Sequence, residues 1–490
     1  MQNSRSLQRA LAGANYEPTV RQLADALWLA RYLPGSSRTA GHASPGARDE
    51  ATQQVRGTAE STLLPASSLT EPLALSRALR PLRRTTPSRT TMVVDEAATA
   101  DAVMHGGVAI WQPKLRPAAE RWLDVSLVAD DSASMVVWQS WVTNLKQLLD
   151  RAGVFRKTRV WLLDTDADRQ PALRSYAPGR PAHDPLELTD RTGRQVVLVL
   201  SDCVGNAWRT GAMFRTLEQW RHSGTVAVVQ PLAERMWRRC APELIRVRVT
   251  TRPQATGPTR LHIVPEDAAL QDAAMQLRTD PTLVIRLDPT WLNWWASLLT
   301  SPDAGVHSGI ALLPTPRPAL DQNGPSAPAE DSAGPRERVG RFRASVSPKA
   351  FELAAHLAIV PVSLSTMTLI QSLTPEATQL HLAEVLLGGL LARVGDPTAT
   401  STQNEMQYDF HPGVREELLV YLSREEIVSL LRAAGEFLHA RIDAPMDHRI
   451  TTPLGRIPIP NGSFAAVTYR VLQHLGGTYA NATSELPAAP

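Results

Sequence analysis

The sequence holds only two cysteines, Cys203 and Cys240, in 490 residues. That excludes a disulfide framework and leads us to expect a reducing compartment. No run of about 18 apolar residues marks a membrane helix, and Met1 to Ala14 is polar where a secretory signal carries an apolar stretch. A cytoplasmic protein without a membrane anchor is therefore expected. Lysine is nearly missing too, at positions 114, 146, 157 and 349 alone, so almost all of the 51 basic residues are arginine. Genomic codon bias explains this more simply than function does. Against 48 acidic residues the net charge is +3, a balance that does not call for nucleic acid. The one basic cluster, Arg77, Arg80, Arg83, Arg84 and Arg89, reads as a solvated helix face rather than a phosphate site. Also missing are Gly-x-x-x-x-Gly-Lys-Ser/Thr, His-Glu-x-x-His and Gly-x-Ser-x-Gly. The chain thus lacks the signatures of a P-loop NTPase, a zinc hydrolase of that type and an α/β-hydrolase, and a non-enzymatic role is expected.

The most informative segment present is Leu127-Val128-Ala129-Asp130-Asp131-Ser132-Ala133-Ser134. A short branched apolar run reads as a buried parallel strand, and here it stops at a carboxylate and two hydroxyls. Gln195 to Leu200 repeats the pattern and ends on Ser201-Asp202-Cys203. Helical spacing over Trp138–Leu149 and Thr210–Arg221 alternates with strand-like Thr158–Leu163 and Gly224–Val229. This alternation predicts an α/β fold, a doubly wound, mostly parallel sheet, in which ligands gather at the carboxyl ends of the strands. Hard oxygen donors on such a loop suit Mg²⁺ or Mn²⁺. The candidate metal residues are Asp130, Ser132, Ser134 and Asp202.

Asp130-x-Ser132-x-Ser134, with Asp202 ending a later strand, resembles the metal-ion-dependent adhesion site of von Willebrand factor A domains. The resemblance implies a divalent cation that bridges to a carboxylate of a protein partner. Ser201-Asp202-Cys203 stands where that family has a Thr-Asp-Gly turn, with Cys203 at the Gly position. The family's middle Thr is left unassigned, with Thr189 and Thr192 as the residues considered. The order of segments also resembles bacterial conflict-system proteins that pair an A-like domain with a C-terminal helical module. The matching stretches are Val20 to Trp28, Glu120 to Asp124, Ala207 to Ala212 and Val339 to Leu391. That resemblance implies an ATPase or effector of the same system as partner.

Composition divides the chain into an N-terminal helix (1–34), a flexible linker (35–69) and an A-like domain with an N-terminal extension (70–300). A Pro/Ser/Ala-rich linker (301–337) and a mainly α-helical domain (338–490) follow. Within the A-like region, Glu71–Arg84 is expected to be a helix and Met92–Val94 a short strand. Thr282–Leu287 is expected as an edge strand, followed by a helix over Pro289–Leu299 whose Trp291, Trp294 and Trp295 pack in the core. In the last domain, helices over Ser347–Ile359, Leu364–Leu373 and Ala377–Arg393 precede the β segment Gln407–His411. Helices over Pro412–Leu422 and Ser423–Ala440 close the pattern. This order, and Leu390 to Val394 with Tyr408 to Pro412 in particular, resembles the winged-helix adaptor of bacterial signalling ATPases, whose wing packs against protein. Pro375 to Leu391 has no Lys or Arg, unlike a DNA-reading helix.

Two other functions were weighed, a metal-independent scaffold and a winged-helix transcriptional regulator. More distant is a haloacid-dehalogenase-like phosphotransferase using the loop Asp164-Thr165-Asp166-Ala167-Asp168. There Asp168 replaces the usual Thr or Val, and the downstream Lys is missing. A calcium loop over the same residues is disfavoured by Arg169 and Ser175 at the Gly and Glu positions. His183 and His411 are read as structural, and Cys203 as a small residue filling the Gly position.

Overall fold

A computed structural model describes residues 69, 71–106, 113–166, 171–176, 182–190, 192–252, 258, 260–277, 280–301, 305–313, 334–394, 407–442, 449–459 and 462–482. The expected N-terminal helix, and all of the linker that follows it except Leu69, lie outside these residues.

Helix α1 (Pro72–Ala78) starts the described chain, and a 3-10 turn over 80–82 follows it. The expected helix is thus shorter than its pattern, because Pro81 removes a backbone donor. Strand β1 (Thr85–Val94), helix α2 (Glu96–Gly106) and strand β2 (Leu115–Arg121) form an antiparallel ribbon. β3 (Leu123–Asp130), α3 (Gln139–Arg151) and β4 (Phe155–Asp164) begin the main sheet. The short strands β5 (Ala172–Ser175) and β6 (Ala182–His183) extend it, and β7 (Gln195–Leu200) returns to its centre. A short helix, α4 (Asn206–Arg209), comes first, and the helix expected over 210–221 begins only after Gly211, at φ 77°, as α5 (Ala212–Ser223). β8 (Gly224–Gln230), β9 (Glu243–Arg252), β10 (Arg260–Pro265), α6 (Ala268–Leu277), β11 (Thr282–Arg286), α7 (Pro289–Thr300) and β12 (Val306–Leu313) complete the domain.

The ten strands lie in the order β10-β9-β12-β11-β8-β7-β3-β4-β5-β6. The centre, β11-β8-β7-β3-β4, is parallel and both flanks are antiparallel. β7 is buried along its whole length, as a strand covered on both faces must be. Two expectations are corrected. β11 is an interior strand, since β12, β9 and β10 lie beyond it. Residues 306–313 also belong to the sheet rather than to a linker, because Ala311, Leu312 and Leu313 are apolar and buried in register with β9. Asp288 caps α7 by accepting from the N–H of Thr290 and Trp291. Of its three tryptophans, Trp295 is wholly buried and Trp294 packs against the core, as expected, whereas Trp291 is partly buried and meets Trp294 edge to face.

The C-terminal domain runs α8 (Pro335–Ser345), α9 (Pro348–Leu357), β13 (Val362–Ser363), α10 (Leu364–Leu373), α11 (Gln379–Leu386), β14 (Leu391–Val394) and β15 (Gln407–Phe410). The third predicted helix stops early, because Gly389 takes φ 75° and residues 391–394 then pair with β15. The three strands form an antiparallel sheet in the order β13-β15-β14. α12 (Val414–Leu419) and α13 (Arg424–Ile442) match the expected helices. The hairpin β16 (Arg449–Thr452) and β17 (Gly455–Pro458), then α14 (Gly462–Leu475) and α15 (Gly477–Asn481), finish the fold. Arg415, almost wholly buried, joins these pieces by donating to the carbonyls of Ala358 (2.6 Å) and Val360 (3.0 Å) and to Asp409 (2.7 Å). No helix among the described residues is long and apolar enough to cross a membrane.

Candidate functional site

The chain leaves β3 through α3 to β4 on one side and leaves β7 through α5 to β8 on the other. The carboxyl ends of β3 and β7 therefore form a topological switch point, where diverging connections open a crevice. Asp130 ends β3 and Ser201-Asp202 follows β7, so strand order brings together two segments 71 positions apart, as the Ser201 to Asp130 hydrogen bond records.

Asp130 is 4% exposed, and four donors converge on its carboxylate. Oδ1 accepts from the Ser132 N–H (3.0 Å) and the Thr165 hydroxyl (2.7 Å). Oδ2 accepts from the Ser201 hydroxyl (2.5 Å) and the Trp208 indole N–H (3.3 Å). A carboxylate offers about four lone-pair sites, so these donors occupy all of them. Burial pushes the Asp130 pKa up, and the hydrogen bonds from Ser201, Thr165 and Ser132 pull against it.

Asp202 is wholly buried and less well provided for. Its Oδ1 accepts from the Val204 N–H at 3.1 Å, while Oδ2 has no hydrogen-bond partner. Burial first, then the negative charge of Asp130, push its pKa up to about 7, partly offset by the Ser134 hydroxyl and the Val204 N–H. Neither Asp130 nor Asp202 has an ion-pair partner among the described residues. At the rim, Arg174 pairs instead with Asp131 at 2.7 Å. Two adjacent buried carboxylates without a countercharge are costly when ionised, so the place attracts a cation or a proton.

The Ser132 and Ser134 hydroxyls lie 3.3 Å apart, and the Ser134 hydroxyl is near Asp202. All four sequence candidates thus meet at one end of the sheet. The geometry changes their division of labour. With Asp130 saturated by donors, it orients the Thr165 and Ser201 hydroxyls, and Asp202 Oδ2 is the carboxylate oxygen left open, beside Ser132 and Ser134. Among the described residues no three His, Cys, Asp or Glu side chains converge as a metal-binding group. A cation here would draw on hydroxyl and carboxylate oxygen, the donor set of Mg²⁺ or Mn²⁺.

Thr165, Ser201 and Trp208 were not among the candidates. Thr165 reaches Asp130, whereas Thr189 and Thr192 bond within their own turns, to the Leu186 carbonyl and to Asp190. Thr165 follows β4, the parallel neighbour of β3, and that adjacency was the available signal. Gly205 lies so close that an added Cβ would stand 2.2 Å from Thr165 Oγ1. Asp166 reaches across to accept from the Ala133 N–H at 2.9 Å, which fixes the second hydroxyl loop. Cys203 has φ 61° and is wholly buried, so it sits in the left-handed conformation that favours glycine. Burial also pushes its thiol pKa well up, which keeps it unreactive. His183 bonds to Glu187, four residues on, a local structural contact.

Comparison with protein-family models, with curated proteins and with solved structures gives no match for this chain.

Proposed function

We propose that the chain is a non-enzymatic protein-binding component of von Willebrand A type that uses a divalent cation to engage a partner carboxylate. The observation that carries this reading is the pair of buried carboxylates, Asp130 and Asp202, with no countercharge among the described residues and one unpartnered oxygen. Ser132, Ser134 and Asp202 would hold Mg²⁺ or Mn²⁺, with Asp130 and Thr165 behind them. The bound ion would supply a positive charge for a carboxylate of the partner. The site's hydroxyls bond to carboxylates rather than to a histidine base, which favours binding over catalysis.

The C-terminal domain follows the order helix, strand, two helices and hairpin, which supports a winged-helix-like core. The third helix of that core, counted from α9, is α11, which packs against the 133–138 turn of the sheet domain. That contact occupies the element a DNA reader would lay in a groove, and it favours a scaffolding role within a bacterial defence or regulatory assembly. An ATPase or effector of that assembly is the partner proposed.

A second reading, a metal-independent scaffold, is favoured by the four protein donors that satisfy Asp130 without an ion. Titration of the full chain with Mn²⁺, with free ion followed by electron paramagnetic resonance, separates the two. The cation reading expects one bound ion per chain, displaced by excess Mg²⁺ and weakened about tenfold or more by Ser134→Ala. Absence of binding at millimolar Mn²⁺ would leave the scaffold.

A further inference from the structure

The residue between the two serines faces two domains. Ala133 donates its N–H to Asp166 in the sheet domain, and its carbonyl accepts from the hydroxyl of Tyr408 on β15 at 3.4 Å. One turn further on, Gln379 at the start of α11 donates to the Val137 carbonyl (3.0 Å) and the Ser140 hydroxyl (2.7 Å). The start of α11 is thereby tied to the turn that continues the Ser132 and Ser134 loop.

The other end of α11 is tied to a different loop. Glu384, 1% exposed, pairs with Arg235 and accepts from the Ser347 N–H at 2.7 Å, and Arg239 donates to the Leu387 carbonyl. Arg235 and Arg239 belong to the 3-10 turn 234–239 after β8. That turn runs directly into the backbone of the Asp202 loop, since the Cys240 thiol donates to the Asp202 carbonyl at 3.3 Å and Ala241 N–H donates to the Cys203 carbonyl at 2.8 Å. One helix of the C-terminal domain therefore spans the two segments that carry the two buried carboxylates.

We infer that α11 is an intramolecular clamp, with Gln379 and Arg235 as positioning residues, and that its docking and cation binding strengthen one another. The inference rests on the cation reading of the site. The charges of Asp130 and Asp202 oppose the close approach of their loops, against the hydrogen bond by which Ser201 ties them. Docked α11 holds those loops together, and a cation between them acts in the same direction. Each event then pre-organises the other, and by linkage the coupling is the same seen from either side.

The experiment uses the full chain. Mn²⁺ affinity is measured for the natural protein, for Tyr408→Phe and for Gln379→Ala/Arg235→Ala, each checked for native circular dichroism. Amide hydrogen exchange of α11 in the natural protein is followed with and without saturating Mn²⁺. The clamp expects the double variant to bind Mn²⁺ about tenfold more weakly, Tyr408→Phe to fall in between, and Mn²⁺ to slow exchange in α11. Natural protein that binds Mn²⁺, with equal affinity in the variants or unchanged exchange in α11, would overturn the clamp and leave the cation site standing. Natural protein that binds no Mn²⁺ overturns both. Because the exchange measurement needs no substitution, a variant that fails to fold does not decide the matter.

Discussion

At pH 8 and without divalent ions, the Asp202→Asn protein is expected to resist denaturant better than the natural protein, and to have lost Mn²⁺ binding. The pKa of Asp202 in the folded state is about 7, against an ordinary 3.8. Folded protein therefore keeps this proton to higher pH than unfolded protein does. It follows that the natural protein loses stability as pH rises from about 4 to about 7, and the loss is complete above that. The rise corresponds to about 4 kcal/mol. Asparagine has nearly the same shape, keeps an oxygen for the Val204 N–H and carries no charge beside Asp130. A gain of about 2 to 4 kcal/mol at pH 8 is expected, shrinking as pH falls through 7 and gone near pH 4. Added Mn²⁺ should stabilise the natural protein at pH 8 and leave the variant unchanged. Urea unfolding across this pH range measures it, and an Asp202→Asn protein no more stable than the natural one at pH 8 would remove the buried-charge argument.

Gly205→Ala is expected to damage the site out of proportion to its size. The added Cβ would lie 2.2 Å from Thr165 Oγ1, 3.0 Å from its Cβ and 3.2 Å from its carbonyl oxygen. Neither a rotamer change nor a small backbone shift relieves all three contacts. Thr165 must turn, giving up its 2.7 Å hydrogen bond to Asp130, or α4 must lift away and carry Trp208 with it. Either way Asp130 loses a donor. Mn²⁺ affinity should fall about 10- to 100-fold, the range seen when groups behind metal ligands are altered. Stability should fall by about 1 to 3 kcal/mol, as in other overpacked sites. Adding Thr165→Ala to Gly205→Ala should return part of the stability and none of the affinity. Recovery of both would show that Thr165 has no part in the site.

The two central strands were legible because β3 and β7 are short branched apolar runs that stop on carboxylates. Their adjacency in space follows from the same alternation of strand and helix. Thr165 is harder to read, because its neighbours Asp164 and Asp166 point to carboxylate chemistry, and Thr189 and Thr192 lie nearer in sequence to the second strand. Its role depends on β4 lying beside β3, a fact of strand order rather than of local pattern. β9 carries a period-two signal, in which buried Ile245, Val247 and Val249 alternate with exposed Arg246 and Arg248, unlike the continuous apolar runs of the parallel strands. β12 lay in a stretch assigned by composition to a linker, although Ile310 to Leu313 is an apolar run. That β11 is interior was not legible at all, since the strands covering it come from both sides of it in sequence. The saturation of Asp130 likewise depends on residues up to 78 positions away, which no motif records.

The contacts that tie α11 and β15 to the serine loop join residues 242 and 275 positions apart. A chain growing at about 5 to 20 residues per second takes roughly 12 to 50 seconds to cover the shorter of these distances. For that interval the sheet can already have its strands in order, while its acidic loops are without their clamp. On the cation reading, a chain cut short before Gln379 would carry every proposed ligand residue yet hold an ion poorly. On that reading, the segment from Gln379 onward decides when the loops of Asp130 and Asp202 become competent to bind.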